Sequence, residues 1–267
     1  MVVSYSVPRD PWSCGWSNSA PHNFHCGLQN GEVLVFDVRN TREAVTSLVP
    51  CVGSQRCPVI SVTSIPSPNG KGGEGYLVST LQSLTLYQKA YGADQFTGHL
   101  LDSPPGAISS VSYIPEMERV LASYKPGVKH PKERHVLMKL HLGESPACEI
   151  IQTISGSSSQ HLRSRSALIQ CPENDSQLLV CAGDQAASTL KIWEATGPDH
   201  RLTSFFQCRK EDGPIIAVGP HRAGGQEFLC ALTNKRLFQY RWLLSGAAVG
   251  AQLDGANRRA SLLNSTL

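Results

Sequence analysis

A repeat of about 50 residues constrains the fold of this chain more than any other feature. Each repeat contains short runs rich in Val, Ile, Leu and aromatic residues, and the third run of most repeats ends in an aromatic and a polar residue. From residue 36 to 87 is 51 residues, from 87 to 193 is 106 (two periods), and from 193 to 240 is 47. A fixed period of this size, built only from strands, predicts the blades of a β-propeller. The third-run endings are Phe36-Asp37, Tyr87-Gln88, the run 135–142, Trp193-Glu194 and Tyr240-Arg241.

Each repeat divides into four predicted strands, as a propeller blade requires. Gly, Pro, Asn and Ser separate the strands, and no helical apolar period extends over a dozen residues. The predicted inner strands are 11–16, 59–65, 108–114, 167–171 and 215–219. The second strands are 22–28, 75–81, 118–124, 177–182 and 227–232, and the third are 32–38, 84–88, 135–142, 190–194 and 236–242. The outer strands are 44–49, 96–101, 148–154 and 202–208.

The two ends of the chain depart from the repeat. The run 2–6 resembles the outer strand of a blade that is otherwise missing, whereas the fifth repeat shows no outer strand after Trp242. We therefore predict an all-β, incomplete WD40-like propeller over residues 1–242, with about five blades plus one extra outer strand. Residues 243–267 are predicted to be a disordered tail. We expect the chain to be a fragment that lacks N-terminal blades; a truncated chain without function of its own is an alternative.

Composition and motifs argue against several classes of function. The net charge of +3 is small, and no apolar run reaches the ~20 residues of a membrane span. We therefore expect no direct nucleic-acid or membrane partner. The nine cysteines include no C-x-x-C pair, so a zinc finger is not expected and the cysteines are predicted to be reduced core residues. No nucleophile elbow, HExxH, P-loop or GxGxxG motif occurs, and we predict no catalytic, metal or cofactor residues in this chain.

The strand endings resemble those of WD repeats, in which Trp-Asp closes the third strand. Phe36-Asp37 and Trp193-Glu194 come close to this pattern. WD repeats also prefer Asp six residues before the aromatic residue and Gly-His ahead of the second strand, and the latter is absent from every repeat. A different propeller subfamily therefore remains open. The residues found six positions before the aromatic residue are Asn30, Leu81, Ala187 and Asn234.

Longer stretches are similar to one WD family, the RING finger and WD repeat ubiquitin ligases of the DNA-damage response. The resemblance covers residues 1–242 in order, and the stretch 171–193 is its most specific part. It is carried by CPEND (171–175), LLVCAGDQAAS (178–188), PWSC (11–14), GLQNG (27–31), VFDVRNT (35–41), LVP (48–50), SYKP (123–126), VLM (136–138), LT (232–233) and YRW (240–242).

This resemblance implies a nuclear ligase, also present in the cytoplasm, that acts on replication protein A and recombination factors during interstrand-crosslink and stalled-fork repair. In that family a RING binds zinc and the E2, and the propeller recognises partners and substrates. This chain holds no Cys/His array that could form a RING, so zinc and the E2 are expected only on a RING outside it. The alternative is a non-catalytic WD-repeat scaffold in an unrelated assembly.

Exposed turns are where we expect partners to bind, because loops on a rigid scaffold usually carry recognition. The basic loop 125–134 could attract acidic partners, although a solvated loop between two strands explains the same residues. Ser261, in Arg-Arg-Ala-Ser, matches a basic-directed kinase site. The candidate partner-binding residues are Asn30, Lys125, Lys129, Lys132, Arg134 and Asp184.

Overall fold

The chain folds into five four-stranded β-sheets, each made of strands that follow one another in sequence. The computed structural model describes residues 4–18, 20–65, 75–89, 95–143, 145–158, 164–172, 174–196, 201–207, 212–243 and 261–265. Every pair of neighbouring strands whose register is defined is antiparallel, as in β1–β2, β14–β15 and β18–β19 below. A four-stranded antiparallel sheet of consecutive strands is the blade of a propeller, and the five predicted blades are confirmed.

The strands have the following bounds. The first sheet contains β1 (Pro11–Trp16), β2 (Asn23–Leu28), β3 (Val33–Asp37) and β4 (Thr46–Leu48). The second contains β5 (Val59–Ile65), β6 (Gly75–Thr80), β7 (Leu84–Lys89) and β8 (Phe96–Leu101). The third contains β9 (Ile108–Ile114), β10 (Arg119–Tyr124), β11 (Arg134–His141) and β12 (Ala147–Ser155). The fourth contains β13 (Ala167–Cys171), β14 (Asn174–Asp184), β15 (Thr189–Glu194) and β16 (Arg201–Gln207). The fifth contains β17 (Ile215–Ala223), β18 (Gln226–Thr233), β19 (Leu237–Leu243) and β20 (Ser261–Ser265).

The ends of the chain differ from the sequence prediction. Ser4–Ser6 carry no strand, and Val2 and Val3 lie outside the described residues. Tyr5 instead packs its ring against two apolar rings, with ring centroids 5.0 Å from Phe24 and 5.1 Å from Phe36.

The fifth sheet does have an outer strand: β20 pairs with β19, with Ser261 opposite Leu243. Pairing satisfies backbone groups that an open edge would leave unpaired, and the short run Ser-Leu-Leu-Asn-Ser at 261–265 gives little indication of this in the sequence. Residues 244–260 and 266–267 of the predicted tail lie outside the described residues.

The chain divides into two compact units, residues 1–124 with 138–151 and residues 125–137 with 152–267. In the first unit, successive residues of β3 point to opposite faces of the sheet. Val33 and Val35 join one cluster with residues of the second sheet, while Leu34 and Phe36 join another with Tyr5 and Val7. Burial on both faces explains why β3 reads as a continuous apolar run. Among the described residues of the second unit, a core cluster extends from Ala167 to Trp242.

Side-chain oxygens close the turns between second and third strands. Thr80 Oγ1 accepts hydrogen bonds from the backbone N–H groups of Gln82 (3.2 Å) and Ser83 (3.1 Å), and Thr233 Oγ1 accepts one from Arg236 N (3.0 Å). Such short polar side chains replace a backbone acceptor in tight turns. In these two turns, the side chain that closes the turn is therefore not at the WD-type position six residues before the aromatic residue. Leu81 and Asn234 occupy that position, and Thr80 and Thr233 lie one residue before them. The register of each hairpin sets where its turn begins.

Candidate partner-binding surface

The basic loop predicted from the sequence forms a hairpin between β10 and β11, here called the basic hairpin (residues 125–134). At its tip Gly127 N donates to His130 O (2.7 Å), and His130 N donates back to Gly127 O (3.2 Å). This reciprocal pair places Val128 and Lys129 in a two-residue turn. Residues 127–132 are exposed, so a turn with a defined backbone presents these side chains to solvent.

The base of the basic hairpin is anchored to the segment that follows β12. Glu133 N donates to Ser157 O (2.8 Å), and Gly156 N donates to Glu133 O (2.7 Å). Gly156 packs closely here, since an added Cβ would lie 3.0 Å from His135 Nε2 and 3.1 Å from Glu133 Cβ and would require these side chains to shift. The His135 ring packs against the Trp193 ring of β15, with centroids 5.6 Å apart. The hairpin base is thus fixed by two backbone hydrogen bonds and an aromatic contact.

Two ionisable side chains at this base are removed from water. Glu133 is 2% exposed and His135 is 0% exposed. Burial, together with the nearby negative charge of Asp184, raises the pKa of Glu133 to about 8, and burial lowers the pKa of His135 to about 4. Both shifts favour the neutral form, since burial disfavours charge. At pH 7 the base of the hairpin is therefore largely uncharged, even though it contains an acid and an imidazole.

Asp184 ends β14 and organises the turn that follows. Its Oδ1 accepts from Ala187 N (3.1 Å), and its Oδ2 forms an ion pair of 2.5 Å with Lys191 Nζ. Burial alone would raise the pKa of Asp184, but the hydrogen bonds from Lys191, Ala187 and Ser157 lower it overall. Asp184 pairs with Thr189 across the hairpin, so residues 185–188 form the turn. The acid that closes this turn therefore lies three positions before Ala187, the residue at the WD-type position.

The candidate partner-binding residues differ in their exposure to solvent. Lys129 and Lys132 are exposed on the basic hairpin, with Lys125 and Arg134 half-buried at its two ends. Asp184 is 8% exposed and lies beside the base of the same hairpin through Ser157. Its position fits a structural role, and its part in partner binding stays a prediction. Ser261 is the first residue of β20, while Arg258 and Arg259 lie outside the described residues, so phosphorylation also stays a prediction.

Asn30 belongs to the other unit. It lies half-buried in the β2–β3 turn, where its Oδ1 accepts from Glu32 N (3.3 Å) and Gly31 follows with φ +89°. Gly31 takes the positive φ of this turn, a conformation that glycine adopts without strain. The side chain of Asn30 is therefore engaged in holding its own hairpin.

Two features of this surface escaped sequence reasoning. Val128 is fully exposed at the hairpin tip (105%). In the sequence, the feature that indicated this exposure was a lone apolar residue between Gly127 and Lys129. The buried pair Glu133 and His135 had a weaker signal, because glutamate is among the residues least often fully buried. Their burial depends on residues 156–157, 184 and 193, which are distant in sequence.

Comparison with known proteins places the chain in a family. The sequence profile of the "E3 ubiquitin-protein ligase RFWD3 WD40 domain" matches residues 1–241. The chain belongs to the RFWD3 WD40 family. The resemblance seen in the sequence is thereby confirmed, over nearly the same residues.

Relatives of this RFWD3 WD40 chain are proteins named E3 ubiquitin-protein ligase RFWD3. The chain is 32% identical over 254 residues to the one from Ailuropoda melanoleuca and 30% identical to the one from Homo sapiens. Each alignment covers 91% of this chain and 31% of the relative. The chain thus spans about a third of the length of the relatives that it matches.

A solved structure supports the fold independently. The β-propeller domain of Cps50 (Swd1) from Myceliophteria thermophila aligns with a TM-score of 0.52 and 15% sequence identity, over 94% of this chain and 75% of that one. At this identity the likeness concerns the fold alone, and it confirms the WD40-like propeller. Among the described residues, no group of three or more His, Cys, Asp and Glu side chains is placed to hold a metal ion. No helix formed by those residues is long and apolar enough to cross a membrane.

Proposed function

We propose that this chain is the partner- and substrate-recognition propeller of a RING-type E3 ubiquitin ligase. The observation that carries this proposal is the family match over residues 1–241. It is supported by relatives whose names state that they are ubiquitin ligases. The fold supports the same assignment, because loops on a rigid β scaffold commonly bind other proteins.

The substrates that we propose are replication protein A and recombination factors, in the nucleus, during repair of interstrand crosslinks and stalled forks. Zinc and the E2 are assigned to a RING module outside residues 1–267. The contribution of the propeller would be proximity: holding a target beside the charged E2 raises the effective concentration of its lysines. No residue of the propeller then needs to touch the reacting thioester.

Within the propeller, the basic hairpin is the best placed of the candidate surfaces. Its tip is exposed and its base is anchored by Glu133 and Ser157, so a partner would meet a backbone already held in position. Preorganisation of this kind reduces the entropy lost on binding. The turns at Asn30 and Asp184 use their polar side chains to close their own hairpins, which leaves less for a partner.

A direct binding measurement tests this proposal. Purified chain is titrated with purified replication protein A in a calorimeter, and an unrelated WD40 propeller serves as the control. We expect saturable binding by this chain alone. Absence of binding at tens of micromolar protein would overturn the proposed partner and favour a scaffold in an unrelated assembly.

A second experiment addresses the ligase step. The chain is fused to a RING domain known to work with a given E2, and ubiquitination of replication protein A is compared with that by the RING alone. We expect the fusion to modify its target faster, since recruitment supplies proximity. Equal rates for the fusion and the free RING would contradict a substrate-recognition role.

A further inference from the structure

We propose that the tip of the basic hairpin binds an acidic, extended peptide segment of a protein partner, with Val128 contacting an apolar side chain of that segment. The inference deepens the proposed function and rests on it, since it names the chemistry of the segment that a recognition propeller would capture. Four observations on the described residues carry it: charge, unpaired lysines, an exposed apolar residue and a rigid frame.

Charge is concentrated in this hairpin. Residues 125–134 contain four cations and one acid, and their formal charge of +3 equals that of the whole 267-residue chain. The one acid, Glu133, is buried with its pKa raised to about 8, so it does little to offset the cations at pH 7. The remainder of the chain is formally neutral, so the hairpin accounts for the formal excess of positive charge, which would attract an acidic partner.

The lysines of the hairpin differ from other cations among the described residues in their ion pairing. Within the described part of the chain, Lys125, Lys129 and Lys132 form no ion pair. Other cations do: Lys191 pairs with Asp184, Arg236 with Asp212 at 3.0 Å, and Arg39 with Asp37. Partial burial lowers the pKa of Lys125, so a carboxylate placed beside it would offset a desolvation cost that the free protein already bears.

The apolar residue and the frame define the kind of partner. Val128 is fully exposed at the centre of the tip, with Lys129 directly after it and Lys125 three positions before it. Two hydrogen bonds between Gly127 and His130 fix the turn. An exposed apolar residue close in sequence to cations matches a peptide in which an apolar residue lies among carboxylates.

A peptide fits this surface better than a nucleic acid. Single-stranded nucleic acids are held by aromatic side chains on which bases stack, in addition to cations. Residues 125–134 contain no Phe, Tyr or Trp. The exposed valine would have no role against a phosphate backbone, whereas it would be covered by an apolar side chain of a peptide.

The test uses fluorescence anisotropy with a labelled peptide that carries one leucine between two runs of glutamate. The matched probe has glutamine in place of every glutamate, and a labelled single-stranded oligonucleotide is the third probe. The chain is compared with Lys129→Glu/Lys132→Glu, with Val128→Ser, and with the control Arg222→Glu/Lys235→Glu. The control reverses two exposed cations outside the hairpin and therefore makes the same change in net charge.

We expect the acidic peptide to bind the unchanged chain more tightly than the glutamine peptide, and more weakly as salt rises. Reversal of the hairpin lysines should weaken binding by about tenfold and Val128→Ser by about threefold, whereas the control should change it by less than about twofold. Equal loss in the control and hairpin variants would overturn the proposal, because binding would follow net charge alone. Preferential loss of oligonucleotide binding in the hairpin variant would overturn it in favour of a nucleic acid.

Titration of the same variants with replication protein A separates this inference from the proposed function. If the unchanged chain and the Lys129→Glu/Lys132→Glu variant bind replication protein A equally, the proposed function stands and the hairpin inference is overturned. If the acidic peptide depends on the hairpin but replication protein A does not bind at all, the hairpin inference stands and the proposed partner is wrong.

Discussion

The base and the tip of the basic hairpin are a few residues apart and lie in opposite environments. At the base, Glu133 and His135 are buried, and their pKa values are shifted so that both groups favour the neutral form. At the tip, Val128 and Lys129 are exposed to solvent. Substitutions at the base should therefore change stability, because they act on packing and desolvation. Substitutions at the tip should change binding and leave stability nearly unchanged.

The largest loss of stability should come from removing the aromatic ring that packs against the base of the hairpin. Trp193 is 6% exposed and packs against His135, so Trp193→Ala should lower the free energy of unfolding by about 3–5 kcal/mol, as removal of buried aromatic rings usually does. Urea denaturation measures it. Trp16, 63% exposed, is the matched control, and Trp16→Ala should cost less than about 1 kcal/mol. Equal losses for the two variants would show that burial at the base does not dominate stability.

A smaller loss of stability is expected when Asp184, the acidic residue beside the base of the hairpin, is replaced. Asp184→Asn removes the charge that pairs with Lys191 and should destabilise the chain by about 1–3 kcal/mol, since hydrogen bonds to charged groups are among the stronger ones. The control is Asp37→Asn. Asp37 also pairs with a cation, Arg39, and its pKa is lowered to about 2 chiefly by the Arg39 side-chain hydrogen bond, but that pair is exposed to solvent. Thermal unfolding that ranks the two variants in the reverse order would contradict the comparison.

The pH dependence of stability should come from the two buried ionisable residues at the base of the hairpin, Glu133 and His135. Folded Glu133 keeps its proton to about pH 8 instead of 4.5, so the folded state binds more protons in that window and unfolding free energy falls as pH rises. Folded His135 has its pKa lowered from 6.5 to about 4, so the unfolded state binds more protons there and unfolding free energy rises with pH. The two effects oppose each other up to about pH 6.5, above which only Glu133 acts.

Between pH 6.5 and 8 we therefore expect Glu133 to cost the chain about 1–2 kcal/mol of stability. Urea denaturation of the unchanged chain and of Glu133→Gln across this range isolates that contribution, because glutamine keeps the shape without the proton. The difference between the two proteins should grow as pH rises. A constant difference would mean that Glu133 titrates at its ordinary pKa.

The smallest effect on stability should come from the tip. Lys129→Glu/Lys132→Glu changes exposed side chains that form no ion pair within the described residues, and the free energy of unfolding should move by no more than about 0.5 kcal/mol. The same denaturation assay measures it. Destabilisation by more than about 2 kcal/mol would show that the tip takes part in folding.

Much of the fold could be predicted from the sequence because strand patterns and turn residues are local signals. The predicted inner strands 11–16, 59–65, 108–114 and 167–171 agree with the structure. The extension of β17 to Ala223 was missed, because Pro220 to Arg222 do not read as a strand. They are extended because β18 pairs with them, with Ala223 opposite Gln226.

The candidate surface was only partly visible in the sequence. Its cations could be read directly, since four basic residues within ten stand out in any sequence. The burial of Glu133 could not, because it depends on residues 156–157 and on Asp184, which only the folded chain brings near. The exposure of Val128 depends likewise on the tight turn between Gly127 and His130.

Hydrogen–deuterium exchange of the chain, alone and saturated with replication protein A, tests most directly whether this propeller recognises partners through its basic hairpin. We predict slower exchange within the basic hairpin, at residues 125–132, on addition of the partner. The β2–β3 turn around Asn30 should exchange equally in both samples. Protection elsewhere with none at 125–132 would contradict the hairpin as the recognition surface, and no change anywhere at saturating partner would contradict recognition of replication protein A altogether.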